Sequence, residues 1–126
     1  MKLELRRLEL RDMYKLQSIV KHDIAKKAGI SWPFDRLTAM NFILNYNTWG
    51  MYINGGVLVG AVEVKPSLET AYFVSQQWQG QGIATMAVKQ CIDIFGDRQL
   101  WCVINPNNKP SMRVAQKTGI RIKFIN

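Results

Sequence analysis

The sequence predicts a mixed α/β domain, with a mostly antiparallel sheet of about six strands and helices on both faces. Three observations carry that reading. Residues 48–75 hold three strand-like segments separated by the turn sequences Asn54-Gly55-Gly56 and Pro66-Ser67. Two glycines, Gly80 and Gly82, stand where the third segment gives way to a long apolar helical pattern. A strand, a short helix closed by Gly119 and a last strand then follow.

The elements can be justified in order. Residues 2–10 alternate Leu3, Leu5, Leu8 and Leu10 with charged residues, as a first strand does. From Asp12, a capping residue type, Met13, Leu16, Val20 and Ile24 recur at helical spacing, and the pattern predicts one helix ending by Gly29. A break at residues 31–33 precedes a second helix from Asp35, with Leu37, Met40, Ile43 and Leu44 as its buried face. Strands over 48–54, 57–65 and 69–75 form the meander. Residues 82–95 are helical and apolar on more than one side, which predicts a helix packed between layers. Residues 99–104 read as a buried strand containing Trp101, 110–118 as a helix, and 120–125 as the last strand. The resulting order is β-α-α-β-β-β-α-β-α-β.

Composition narrows the function classes. At 126 residues and 48% hydrophobic, the chain is long and apolar enough to bury a core, and residues 1–126 read as one domain. Cys91 and Cys102 are too few and too far apart for a disulfide framework or a zinc site, so no metal is expected. Both sit among apolar residues and read as reduced, buried thiols, which fits a cytoplasmic location. The first ten residues lack the apolar region of a signal peptide, and the longest apolar stretch, near residues 57–62, is too short to span a bilayer. Net charge is +8, with five basic and no acidic residues from Lys109 onward. That bias suits an anionic partner such as nucleic acid or cofactor phosphates, and equally a solvated helix face. Nucleic acid is disfavoured, because no recognition motif is present and the basic residues are not interleaved with aromatic ones.

The stretch Gln77-Trp78-Gln79-Gly80-Gln81-Gly82-Ile83-Ala84 carries the most chemistry. Two glycines allow a tight turn with outward-facing N–H groups, and a helix begins at once, adding its own free N–H groups and dipole. Such a turn suits a pyrophosphate. A nucleotide P-loop would need Gly-Lys-Ser/Thr, and a dinucleotide turn would need glycine or alanine where Thr85 stands. Taken alone, the two glycines fit a strand-to-helix turn without ligand just as well.

A second segment decides between these readings. Asn105-Pro106-Asn107-Asn108-Lys109-Pro110-Ser111 opens the next helix, which continues through Val114 and Lys117 to Gly119 and Ile120. The pattern Q-x-x-G-x-G followed by Ile-Ala resembles the pyrophosphate loop of the GNAT superfamily of N-acetyltransferases. The pattern N-x-x-S-x-x-V-x-x-K-x-G resembles that family's second motif, and Glu69-Thr70-Ala71-Tyr72 resembles the segment before its loop. The resemblance covers residues 69–120, while the first half agrees in element order alone.

The resemblance implies a GNAT-like sheet that splays beside the glycine turn and takes acetyl-CoA, or another acyl-CoA, in the gap. Backbone groups near Phe73 and Val74 would meet the pantetheine arm. The N–H groups of Gln79, Gly80, Gln81, Gly82, Ile83 and Ala84 would hold the pyrophosphate. Asn108 and Ser111 would contact the cofactor from the facing helix, and Lys109, Arg113 or Lys117 its ribose phosphate. The reaction implied is acyl transfer to a primary amine by direct attack, on a small molecule, peptide or protein.

Such a transfer needs a base for the amine and an acid for the leaving thiolate. The family often takes its base from a carboxylate on the central strands, and here Glu69 ranks first and Glu63 second. It often takes its acid from a tyrosine beyond the second motif. No tyrosine follows Tyr72, so Ser111 or water is the substitute. That departure motivates an alternative, a non-catalytic module of the same fold that binds acyl-CoA or a protein partner. His22, the lone histidine, reads as a surface residue, and Trp32 and Trp78 as exposed near the gap. The strand over 120–125 lacks the neighbour it would have in the family, which predicts a homodimer through that edge.

Overall fold

Among the described residues four strands form one antiparallel sheet: the first pairs with the second across an intervening helical stretch, and short turns join the second, third and fourth. In the computed structural model, which describes residues 1–45 and 47–125, these are β1 (Leu3–Arg7), β2 (Thr48–Ile53), β3 (Val57–Val64) and β4 (Thr70–Val74), paired in the order β1-β2-β3-β4. Two more, β5 (Trp101–Ile104) and β6 (Arg121–Phe124), pair in parallel with each other. The described residues also form five α-helices: α1 (Met13–Ile19), α2 (His22–Ala28), α3 (Arg36–Leu44), α4 (Ile83–Phe95) and α5 (Lys109–Thr118).

Alternation along the strands sends side chains to two cores. One face joins Met51, Ile53, Val62 and Val64 to α4 through Ile83, Ala87, Val88 and Cys91, and to α5 through Ala115. The other joins Tyr52, Leu58, Ala61 and Phe73 to Leu16 and Ile19 of α1, Ile24 of α2, and Ala39 and Ile43 of α3. Helices thus cover both faces, as the sequence predicts.

The single helix predicted from Asp12 to Gly29 is corrected to two. Val20 leaves the helical region (φ −82°, ψ 92°) and Lys21 is extended (φ −93°, ψ 173°). Ile19 and Val20 are both buried, yet neighbouring positions on one helix diverge by about 100°. Breaking the helix lets both β-branched side chains reach the same core. A second correction concerns α4, which is not enclosed between layers: its Ile94 is 57% exposed. One face of α4 packs on the sheet and the other meets solvent. A third concerns Trp101. It is only partly buried, and Val103 on the same face of β5 is exposed. A fourth concerns α3, which buries Ala39 and Ile43 and leaves Leu37 and Leu44 exposed.

The sheet is not continuous. β4 and β5 touch at one parallel bridge, Glu69 to Trp101, reinforced by Trp101 N–H donating to the Leu68 carbonyl (3.1 Å) and Trp101 Nε1 donating to the Ser67 carbonyl (2.9 Å). Beyond that vertex no ladder links the two strands among the described residues, so a wedge opens toward the end of β4. A bulge in β3 lies at the same end. Met51 faces Gly60 while Tyr52 faces Leu58, leaving Val59 as the extra residue, and the Val59 carbonyl accepts from Ser75 N–H (2.7 Å). Bulges sharpen local twist, here where β4 ends and the glycine turn begins.

Both thiols are buried, and burial pushes Cys91 up to about 12 and Cys102 up to about 11. At pH 8 both remain protonated and therefore poor nucleophiles. Native protein is expected to resist iodoacetamide for as long as it stays folded, with both thiols reacting in denaturant; mass spectrometry reads the difference.

Candidate active site

The wedge continues into a cleft of about 310 Å³. β4 supplies Tyr72, Phe73 and Val74 to its wall, α5 supplies Ser111, Arg113 and Lys117, and α2 supplies Asp23 and Lys27. The glycine turn and the start of α4 close one end, through Trp78, Gln79, Gly80, Gly82, Ile83 and Ala84.

The order of hydrogen bonds explains what β4 offers. Glu69 accepts from Lys65 N–H, and Ser75 N–H donates to Val59, so the odd-numbered residues bond toward β3. Leu68 bonds toward β5. Alternation then turns the backbone groups of Tyr72 and Val74 toward the wedge, where β5 has moved out of reach. One of them, the Val74 carbonyl, accepts from Gln79 Nε2 (3.0 Å), which ties the glycine turn back onto the strand.

The turn itself is built for an anion. Gly80 and Gly82 have φ of +80° and +79°, left-handed values that other residues adopt only with strain. Nothing lies within 4 Å of where a Cβ would stand on either, so the space beside them is open. Gly82 is the N-cap of α4, and no side chain caps this 13-residue helix. Its first N–H groups, at the positive end of the helix dipole, therefore have no protein partner among the described residues. Lys27, Arg113 and Lys117 add positive charge from two sides. Asn108 also lines the cleft, and its Oδ1 accepts from Ser111 N–H (3.4 Å) as the N-cap of α5.

Not every residue predicted from sequence is brought to this cleft. Gln81, Lys109, Glu63 and Glu69 are not among its lining residues. Glu63 accepts from Asn45 Nδ2 (2.7 Å). Glu69 stands at the vertex, outside β4 proper, with its carboxylate 3.6 Å from Lys65 Nζ. Trp78 does line the cleft, whereas His22 lies against the half-exposed Trp32 (ring centroids 5.5 Å apart, planes tilted by 57°), both outside the lining.

Asp23, Lys27 and Tyr72 are among the lining residues that escaped the sequence reading. Asp23 and Lys27 reach the cleft because α2 lies against β4, a tertiary fact without a local signal. Tyr72 lies within the motif-like segment, yet nothing in that segment says where its hydroxyl goes. Burial raises its pKa, while the nearby Ser111 hydroxyl acts to lower it. Its Oη is sealed from solvent and lies beside the Ser111 side chain.

Residues 2–121 match the family model described as an acetyltransferase (GNAT) domain. The chain belongs to the GNAT acetyltransferase family. Over 69 residues this GNAT domain is 33% identical to the uncharacterized protein YkkB of Bacillus subtilis (strain 168), covering 52% of this chain and 40% of that protein. Its fold is that of solved acetyltransferases. A probable acetyltransferase superposes with a TM-score of 0.73 at 19% identity, over 93% of this chain and 77% of the other. The microcin C7 self-immunity acetyltransferase MccE, solved with acetyl-CoA and AMP, superposes with a TM-score of 0.67 at 18% identity, over 94% and 78%. The PaiA N-acetyltransferase of Thermoplasma acidophilum, solved with coenzyme A, gives 0.54 at 17% identity, over 75% and 72%. Among the described residues no helix is long and apolar enough to cross a membrane, and no group of three or more His, Cys, Asp or Glu side chains is placed to hold a metal ion.

Proposed function

We propose that this GNAT domain transfers an acetyl group from acetyl-CoA to a primary amine by direct attack. The observation that carries the reading is the wedge between β4 and β5, opening onto the uncapped start of α4. A strand edge with free backbone groups suits an extended amide-bearing arm, and an uncapped helix start suits a pyrophosphate. Structural neighbours solved with acetyl-CoA or coenzyme A support the same ligand here. In this reading the N–H groups from Gln79 to Ala84 hold the pyrophosphate, the backbone near Phe73 and Val74 meets the pantetheine, and Asn108 and Ser111 face the arm from α5. Arg113 and Lys117 offset the phosphate charge.

In the reaction the amine nitrogen attacks the thioester carbonyl carbon. A C–N bond forms, the C–S bond breaks, and the departing thiolate takes a proton while the amine loses one. Glu69 is the proposed base, with Glu63 as the second candidate, and Ser111 or water supplies the thiolate proton. A screen of primary amines with acetyl-CoA, following free thiol release, tests the activity. Thiol release that depends on the amine is the expected result. Binding of acetyl-CoA with no release for any amine would instead establish the non-catalytic module.

Self-association through β6 is the second part of the proposal. β6 is paired on one side by β5 and has no strand on its other side among the described residues. Phe124 beside that edge is 48% exposed. Open edges invite pairing with another chain, although Arg121 and Lys123 oppose it. Light scattering across a concentration series is expected to show a dimer mass that Ile122→Pro reduces to monomer. A monomer mass throughout would end this part of the proposal.

A further inference from the structure

The cleft wraps the open edge of β4 and reaches both faces of the sheet. Val74 packs into the core under α4 and Phe73 into the core under α1–α3, yet both line the cleft. Arg113 and Lys117 of α5 stand with the glycine turn on the first face, where α5 packs through Ala115. Asp23 and Lys27 stand on the second, where α2 packs through Ile24 and Ala25. Phosphates held at the glycine turn and an arm laid along β4 would put the thioester in the wedge. That leaves the α2 side of the cleft for whatever attacks it. Alternation from Phe73 through Ala71 places Glu69, the proposed base, on the same second face.

Asp23 and Lys27 are one turn apart on α2, acid before base, the order in which helix neighbours bond best. Both are exposed, and neither makes a hydrogen bond or ion pair with the other or with any described residue. The cleft wall on this side thus presents one free carboxylate and one free ammonium. Neighbours four apart on a helix have Cβ atoms about 5–6 Å apart, so a short Asp and a long Lys can each reach one of two opposite charges carried on a single carbon. A simple amine would satisfy Asp23 alone. An amine with a carboxylate beside it satisfies both. Lys27 is free for that carboxylate because Arg113 and Lys117, on the other face, already stand on the side of the phosphates.

We propose that the acceptor is an α-amino acid, its ammonium held by Asp23 and its carboxylate by Lys27. The proposal rests on the acetyl-transfer reading and adds the class of the acceptor. The bound ammonium gives up one proton, which Glu69 is proposed to take, before its nitrogen attacks the thioester; the amide product is neutral at nitrogen and loses its hold on Asp23. Thiol release from acetyl-CoA tests this with a panel of amino acids, each beside the amine that remains when its carboxylate is removed, such as phenylalanine with phenethylamine and leucine with isoamylamine. The two members of a pair differ in basicity as well, so the deciding quantity is their ratio of kcat/KM in wild type against the same ratio in a variant. Lys27→Gln is expected to lower the ratio of amino acid to amine about fivefold, the size expected of one exposed charge pair, and Lys27→Glu to lower it further. Asp23→Asn should lower kcat/KM for both members and keep their ratio. An unchanged ratio in Lys27→Gln, or a wild type that acetylates amines and no amino acid, would overturn the proposal alone. So would weaker acetyl-CoA binding by Lys27→Gln in calorimetry with the ratio kept, which would hand Lys27 to the cofactor phosphates. No thiol release by wild type with any acceptor would overturn the acetyl-transfer reading and the proposal together.

Discussion

Acetyl-CoA is expected to raise the melting temperature of the wild-type protein by roughly 10 °C at a hundred times its dissociation constant, and Gly82→Glu to abolish that shift. A ligand that binds only the folded state stabilises it by about 2.7 kcal/mol at that excess, and a domain of this size gains several degrees per kcal/mol. Gly82 is the N-cap of α4 at φ +79°, with open space where a side chain would go. A glutamate there projects bulk and negative charge into the place proposed for the pyrophosphate. Two effects of the substitution must be separated. Any residue at that φ carries strain of about 1–3 kcal/mol, so the ligand-free variant should itself melt lower than wild type. Gly82→Ala carries the strain without the charge and is expected to keep part of the acetyl-CoA shift. An unshifted wild-type melt at millimolar acetyl-CoA would remove the cofactor from the reading, whatever the variants do.

The parts of this site that were legible in the sequence are the parts whose cause is local. Gly80 and Gly82 are needed for their own backbone angles, and α4 starts where the second of them ends the turn. Asn108 caps α5 three residues before the N–H it accepts from, and Gly119 closes α5 at φ +77°. Spacing along the chain reports such features directly. What remained hidden depends on how distant elements meet. Nothing near Asp23 or Lys27 records that α2 will lie against β4, and the break after Ile19 reflects the shape of the core, not a glycine or proline. The apolar pattern of α4 was over-read for the same reason: periodicity cannot say that Ile94 faces solvent, because what covers a helix is set elsewhere. Trp101 reads as core because β5 is an apolar strand, and only the structure shows that it shares an open face with the exposed Val103.

The carboxylates are separable by kinetics, and the largest effect is expected at Glu69. A general base typically contributes 10²–10⁴ to the rate. Glu69→Gln keeps the shape and removes the base, so kcat should fall by about that range while acetyl-CoA affinity stays near wild type. Lys65, 3.6 Å away, keeps a positive charge beside the carboxylate. Glu69 stands at the vertex and outside the cleft lining, so the proton must travel through water, which general-base transfer allows. Asp23 is placed differently. It lines the cleft, is exposed, and makes no ion pair among the described residues. A carboxylate among Lys27, Arg113 and Lys117 repels an anionic cofactor and attracts an ammonium group. Exposed charge pairs are worth up to about 1 kcal/mol, so Asp23→Asn should raise KM for the amine about fivefold and leave kcat nearly unchanged. Glu63 is held by Asn45, and Glu63→Gln, which can still accept that bond, should differ little from wild type. Steady-state kinetics of the three variants with one amine accepted by wild type gives each outcome its own signature. A full wild-type kcat in Glu69→Gln across pH would remove Glu69 from the mechanism. A kcat loss of a hundredfold in Asp23→Asn instead would move the base from the strand vertex to α2.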